Sequence, residues 1–371
     1  MNPQSFPVGN ENDEIPTISG KGIAIALMTS VLLGLVAAEI IVRLAMPQWQ
    51  EFYSGRFISS LIVPGHGKTA IGRPNFDGHF AQNNGDFRIH LKLNGAGLRN
   101  EEPISAANGQ LWALGDSMTF GWGVQSNEMY SSVLQQMLKV PVYNIANPGT
   151  DICGYQAMAA RMSSYARPIA VTVGLVLEND LRKYDCKEES RLAEAQQGKE
   201  PKQPTGFLGF SFLDMKLYLT QNLALYNFFA VSLKRVAVIN RLLTTVGLVK
   251  RTHIVNNRID RALIPDLANS AADELARLRR NFSDTVPFYV LVIPTRFEIR
   301  DNATDFRDMR LAVEAALKRR NIQTVGLLSV FQEAGLTETH FKHDGHWSAL
   351  GHKLAAKALA STLAEEMQRR R

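Results

Sequence analysis

The stretch LWALGDSMTFGWGV, residues 111–124, decides the fold. Four apolar residues stop at Gly115-Asp116-Ser117. Glycine there permits a tight turn and a close approach to the backbone, and Asp or Ser caps the start of a helix. The segment therefore reads as a strand running into a helix. Working outward, apolar runs of the same kind recur at VYNIA (142–146), VTVGLVL (171–177), FYVLVI (288–293) and TVGLL (324–328). Between them lie helical patterns, SSVLQQML, ADELARLRRNF and FRDMRLAVEAALKRR, and after the last strand SALGHKLAAKALASTLAEEM. Strands alternating with helices predict a parallel sheet covered by helices on both faces. Ser117 then stands at the C-terminal end of the first strand, the edge at which open α/β sheets bind their ligands.

At the other end of this pattern, FKHDGHWSALGHKLAAKAL (341–359) places Asp344 and His346 just before the final helix. A serine hydroxyl is a poor nucleophile at neutral pH. It needs an imidazole to take its proton and a carboxylate to fix the imidazole's tautomer. A serine after the first strand and an Asp/His pair after the last can meet over one sheet edge. Plainer readings stand beside this one. Asp344 suits an Asx turn, Asp116 a helix cap and Asn179 a turn, while His343 and His352 compete locally with His346. Trp122 and Trp347 suit packing as well as sugar stacking, and Arg296, at the end of a strand, suits either an anionic substrate or a surface ion pair.

Residues 22–46, GIAIALMTSVLLGLVAAEIIVRLAM, are apolar over a length that meets the about 20 residues needed to cross a bilayer. Asp13 and Glu14 precede this run and Glu39 and Arg43 close it, so it reads as an uncleaved signal-anchor rather than a cleaved signal peptide. Glu39 and Arg43 share a helix face near its distal end, where they can pair and snorkel. Charge counting gives contrary guidance on orientation, because Lys21 alone precedes the span and Arg43, Arg56 and Lys68 follow it. The organisation expected is a tail (1–21), a transmembrane signal-anchor helix (22–46), a β-rich prefix (47–108) and the main domain (109–371). An insertion at about 187–265 interrupts that domain. Its first part is polar and reads as an excursion; its second, rich in Leu, Phe and Tyr, reads as one or two amphipathic helices. These helices would serve as core closure, lid, substrate platform or bilayer-facing surface.

Composition narrows the function classes. With 45% hydrophobic and 20% charged residues the chain has a globular balance, which excludes disorder and coiled-coil readings. A net charge of +6 gives no ground for nucleic-acid binding. Two cysteines, Cys153 and Cys186, are too few for a disulfide scaffold and lack zinc-site spacing; a bond between them requires an oxidising compartment. His79, His90, His253 and His340 stand singly, and no metal or cofactor is expected.

Four blocks resemble, in order, those of the SGNH/GDSL hydrolase superfamily: Gly115-Asp116-Ser117 with Thr119 and Gly121; Gly149 in NIANPGT; Asn179 in LENDL; and DGHW at 344–347. The resemblance runs from about Leu111 to the C-terminus, and the apolar helix with its NGAGLRN-containing prefix resembles membrane-anchored bacterial members. It implies a flavodoxin-like three-layer α/β/α sandwich with a parallel sheet, and ester hydrolysis or acyl transfer. Carried over, Ser117 is the nucleophile, His346 the general acid/base and Asp344 its orienting carboxylate. The oxyanion hole combines the N–H groups of Ser117 and Gly149 with the Asn179 amide. Met118 stands where the family name carries leucine, Leu177 where a glycine often stands, and one residue rather than two separates Asp344 from His346. That spacing resembles the Asp-x-His-Trp pattern of polysaccharide O-acetyltransferases, in which the motif precedes the serine. The substrate implied is an O-acylated, for instance O-acetylated, glycan or lipid of the cell envelope, and the location a single-pass protein of a bacterial inner membrane with its catalytic domain periplasmic or extracytoplasmic. Acyl transfer to a polysaccharide hydroxyl is the alternative activity, and a non-catalytic glycan-binding protein the third.

Overall fold

Alternation along the central strands divides their side chains between two cores, and the rest of the architecture follows from covering both. The structure, a computed structural model, describes residues 19–82, 85–197, 212–232, 254–255 and 258–369. Among the described residues the first element is helix α1 (Gly20–Ala45), followed by two antiparallel hairpins, β1 (Ile58–Val63) with β2 (Gly67–Gly72) and β3 (Asp77–Ala81) with β4 (Arg88–Lys92). Next come β5 (Leu111–Leu114), α2 (Ser117–Phe120), α3 (Tyr130–Leu138), β6 (Val142–Asn144), α4 (Ile152–Ser163) and β7 (Ala170–Val176). Then follow α5 (Cys186–Gln197), α6 (Phe212–Asn222), α7 (Ala224–Ser232), the short strands β8 (Ile254–Val255) and β9 (Arg258–Ile259), and α8 (Ile264–Arg279). The last third holds β10 (Phe288–Ile293), α9 (Arg296–Asp301), α10 (Thr304–Arg319), β11 (Gln323–Gly326), α11 (Leu328–Ala334), α12 (Leu336–Thr339) and α13 (Ala349–Arg369).

The main sheet is all parallel, in the order β11-β10-β7-β5-β6. Counted along the chain this is the flavodoxin-like order 2-1-3-4-5, with its switch point between β5 and β7. Trp112 and Leu114, Val171, Val173 and Leu175, and Val290 and Val292 face a core completed by α4, α8 and α10. Leu111 and Ala113, Tyr289, Leu291 and Ile293 face the opposite core, completed by α3, α11 and α13. Every residue of β7 and β10 is buried, as an unbroken apolar run requires of a strand covered on both sides. The fold expected from the sequence, a parallel sheet between two helical layers with an N-terminal apolar helix and a small antiparallel prefix, is the fold observed.

The prefix has a core of its own. Phe57, Phe80, Phe87, Ile89, Leu91 and Leu93 pack on Phe120, Ala146, Trp122 and Phe341, so the β3–β4 hairpin sits against the element that carries Ser117, while the β1–β2 hairpin packs on α4 and α5. From residue 198 the polar stretch lies outside the described residues, but its first half departs from expectation: Cys186–Gln197 is helical, as α5. It carries no apolar stripe to announce a helix. Polar and covalent ties hold it instead: a disulfide from Cys186 to Cys153 of α4, ion pairing of Glu189 with Arg182, and a hydrogen bond from the Gly65 N–H to Glu194. The apolar part of the insertion breaks at Leu223 into α6 and α7. Its remainder, including His253, lies outside the described residues.

α1 is the one helix among the described residues that is long and apolar enough to cross a membrane, with a mean hydropathy of 2.4 in its most apolar window and none of that window buried.

Candidate active site

The serine stands where the strand stops. β5 ends at Leu114, Gly115 turns the chain at φ 153°, and Asp116 caps α2 by accepting the Met118 N–H at 2.9 Å. A Cβ on Gly115 would run into the Thr119 side chain, so the position needs glycine for space as well as for conformation. α2 is a single turn, ended by left-handed Gly121. These local choices fix Ser117 at the first position of the turn, buried to 8% exposure.

The histidine arrives from the far end of the sequence. His346 Nε2 lies 2.7 Å from Ser117 Oγ, and its Nδ1 meets Asp344 Oδ1 in a short hydrogen bond. The same carboxylate oxygen accepts the His346 backbone N–H at 3.0 Å, closing a tight Asx turn. Asp344 thus closes an Asx turn and at the same time meets the His346 ring. His343 and His352 do not reach the serine. His343 Nδ1 bonds Asp86 at 2.8 Å, and buried His352 accepts the Tyr130 N–H at 3.3 Å. Burial among Tyr130 and Trp347 pushes His352 down to about 3, as burial also does His340, which keeps both neutral.

Two further loops converge on this pair. Gly149, after β6, has φ 79° and open space where a Cβ would stand. Its loop is tied to the serine turn, since the Asn147 N–H donates to the Gly115 carbonyl at 3.2 Å and Thr150 Oγ1 to the same oxygen at 3.3 Å. Asn179, after β7, donates its amide to Asp116 Oδ2 at 3.2 Å, which engages one of its two amide hydrogens. Neither the Ser117 nor the Gly149 N–H has a hydrogen-bond acceptor among the described residues. Burial pushes the Asp116 carboxyl up, opposed by the Met118 and Asn179 hydrogen bonds. Neighbouring Asp180 is pushed well up by burial and by Asp116; it accepts from the Val176 N–H and the Tyr155 hydroxyl.

The supports of the histidine loop come from elsewhere in the chain and had no local signal. Gln82, at the end of β3, donates to Asp344 Oδ2 at 2.7 Å, and Asp86 accepts the His343 N–H at 3.0 Å. Trp122 stacks on the His346 ring at 5.3 Å between centroids and itself packs edge-on against Phe80, so the prefix backs the histidine through an aromatic ring. Trp347 is fully buried between Phe331 and His352, a packing residue. Arg296 is paired with Glu178 at 2.8 Å, the residue before Asn179, and its guanidinium lies where a Cβ on Gly345 would stand. It is therefore a brace between two site loops. That Glu178 pairing also holds the Arg296 guanidinium above its usual range.

The arrangement suits proton transfer from Ser117 to His346 with Asp344 holding the ring, and needs no metal. Residues 266–370 match a family model described as ALGX, the SGNH hydrolase-like domain of acetyltransferase AlgX. The matched segment runs from α8 through α13 and holds Asp344 and His346 but not Ser117. Comparison with curated proteins finds no match. Among solved structures the chain is similar to a lipolytic protein of the G-D-S-L family from Veillonella parvula, at 10% identity over 68% of this chain and 96% of that one, with a TM-score of 0.37. It is also similar to the lipase/acylhydrolase from Enterococcus faecalis, at 11% identity over 69% and 96%, TM-score 0.39. A third is the carbohydrate esterase family 2 enzyme of Corynascus thermopiles, at 13% identity over 75% and 71%, TM-score 0.37. With its five-stranded parallel sheet and this family match, the chain has an SGNH-like fold, which supports acyl esterase or acyltransferase chemistry.

Proposed function

We propose that the protein is a membrane-anchored serine esterase that removes O-acyl groups, acetyl among them, from a glycan or lipid of the cell envelope. One observation carries the reading: His346 Nε2 stands 2.7 Å from Ser117 Oγ while its other ring nitrogen is held by Asp344. In the first step His346 takes the Ser117 proton as Oγ bonds to the ester carbonyl carbon, and Asp344 stabilises the imidazolium. The negative charge on the carbonyl oxygen is met by the Ser117 and Gly149 N–H groups and the free hydrogen of the Asn179 amide, each such donor worth about 2.7–4 kcal/mol in the transition state. The tetrahedral adduct collapses, the alkoxide leaves with the proton from His346, and the acyl group stays on Ser117. Water, deprotonated by His346, then releases the acid and restores the serine.

A second reading keeps the acyl-serine and replaces water with a polysaccharide hydroxyl; the matched family's description as an acetyltransferase favours it. Catalytically silent glycan binding is the weaker reading, since binding needs no base paired with a carboxylate. The anchor (22–46), the prefix (47–108) and the domain from 109 onward act as one unit in this reading, since Gln82 and Phe80 tie the prefix to Asp344 and to Trp122 beside His346, and Glu39 and Arg43 tie the anchor to the insertion. The Cys153–Cys186 disulfide and the apolar helix support a catalytic domain outside the cytoplasm of a bacterial inner membrane.

The test is acid release from a short-chain aryl acetate by the full chain, beside Ser117→Ala and His346→Ala, with intact mass to detect acetyl-Ser117. Turnover in the parent alone is expected. Unchanged turnover in both folded variants would sink the proposal, and acyl groups found on an added glycan instead of free acid would select transfer.

A further inference from the structure

The polar pair at the distal end of α1 does more than pair with itself. Glu39 and Arg43 meet at 2.7 Å, and Glu39 also accepts the N–H groups of Ala224 and Leu225 at 2.9 and 2.8 Å. Arg43 Nη2 donates to the Asn222 carbonyl at 2.7 Å. Helix ends leave backbone groups unsatisfied, with donors at the N-terminus and acceptors at the C-terminus. The carboxylate of α1 thus caps the start of α7 and its guanidinium the end of α6, each with the sign of charge that the helix dipole favours. The insertion is thereby clamped to the anchor at one depth. Glu39 lies about 28 Å along the helix from Gly20, close to the hydrocarbon thickness of a bilayer.

At that level the surface is apolar. Met215, Tyr218, Leu223 and Phe229 of α6, α7 and their junction are between 38% and 66% exposed, and Ile40, Ile41 and Leu44 of α1 between 51% and 79%. Just beyond, Arg56 and Arg73 line a cleft of about 250 Å³ together with Trp49 and Tyr53, and neither arginine has an ion-pair partner among the described residues. Apolar side chains first, aromatic rings and unpaired cations next, is the depth profile of a bilayer interface with anionic headgroups.

We infer that α6 and α7 form a collar around the exit of α1 that lies in the interfacial zone of the leaflet, with Met215, Tyr218, Leu223 and Phe229 among the acyl chains and Arg56 and Arg73 at headgroup phosphates. The occupant of this surface is lipid. This rests on the reading of α1 as a membrane span, and it adds that the insertion is a second membrane contact that sets the catalytic domain's tilt.

The experiment uses the full chain in nanodiscs of phosphatidylethanolamine and phosphatidylglycerol. Both native cysteines are bonded, so single added cysteines take a spin label cleanly. Labels at Leu32→Cys, Tyr218→Cys, Phe229→Cys and, as an aqueous control, Lys357→Cys are compared by collision with oxygen and with a water-soluble nickel chelate. The oxygen-to-nickel ratio at 218 and 229 is expected to exceed that at 357 severalfold, and to fall to the aqueous value when Glu39→Gln and Arg43→Gln release the clamp. A lipid value at 32 with aqueous values at 218 and 229 overturns the collar and leaves the anchor standing. An aqueous value at 32 overturns both. Labels at 218 and 229 shielded from both reagents mean a protein partner, and overturn the lipid assignment.

Discussion

The two corners that meet at the site are built in opposite ways. The shape of the serine corner comes from local parts, a strand end, a glycine with no room for a side chain, an aspartate cap and one helical turn within residues 111–121, onto which Asn147, Thr150 and Asn179 add ties from neighbouring loops. The histidine corner has local ties, the Asx turn of Asp344 and the Phe341 N–H to the His346 carbonyl, but it also leans on residues from four other parts of the chain, Gln82 and Asp86, Trp122, Glu178 and Arg296. A nucleophile can be set by short-range rules, whereas a base needing an exact angle to a partner far away in sequence has to be braced from several sides.

The contrast can be broken at either end. Ser117→Ala and His346→Ala should each abolish acyl-enzyme formation, with turnover down by about 10³-fold or more, and the double variant should be no worse than either single, since the pair acts as a unit. Additive losses in steady-state kinetics would mean the corners act separately. Gly115→Ala forces a side chain onto a positive φ and into Thr119; a loss of about 2–4 kcal/mol of stability is expected in chemical denaturation, and an unchanged midpoint would show that the serine corner is not set by its turn. Gln82→Ala removes a hydrogen bond to a charged carboxylate, and about a tenfold fall in kcat with KM and melting temperature nearly unchanged is expected. A change in KM alone would place Gln82 in substrate binding instead.

The smallest expected effect concerns His352. Its proton affinity is depressed on folding to about 3, so the unfolded chain binds a proton that the folded chain refuses between pH 6.5 and 3. Its contribution is complete above pH 6.5 and is lost as pH falls, by roughly 1.4 kcal/mol per unit at most. Buried Asp116 and Asp180, raised on folding, push the other way. The measurement is therefore the difference between the parent and His352→Gln: the parent should lose stability faster from pH 6.5 to 5, and parallel slopes would refute the assignment.

How much of this was legible follows the same division. Strand positions, layer order and the serine turn could be read because each depends on neighbours in sequence: alternation in LWAL and FYVLVI sorts side chains to the two cores without knowledge of the partner helices. The Asp344 and His346 loop was legible as a motif. Gln82 was not, because a glutamine before a turn has many ordinary uses and only the packed hairpin points it at Asp344. Arg296 offered two readings, and its pairing with Glu178 decided for the brace. Helix α5 was missed for a different reason: periodicity detects apolar stripes, and this helix is held by a disulfide and by ion pairs.

The serine and its base are separated by 229 residues, and Gln82 and Asp344 by 262. At about 5–20 residues per second, roughly 10–50 s of synthesis pass between emergence of Ser117 and of His346. Throughout that interval the growing chain holds a serine turn without a base. In the proposed reaction, acyl chemistry therefore waits until residue 346 has been made, and a chain that stops short of it holds the serine alone.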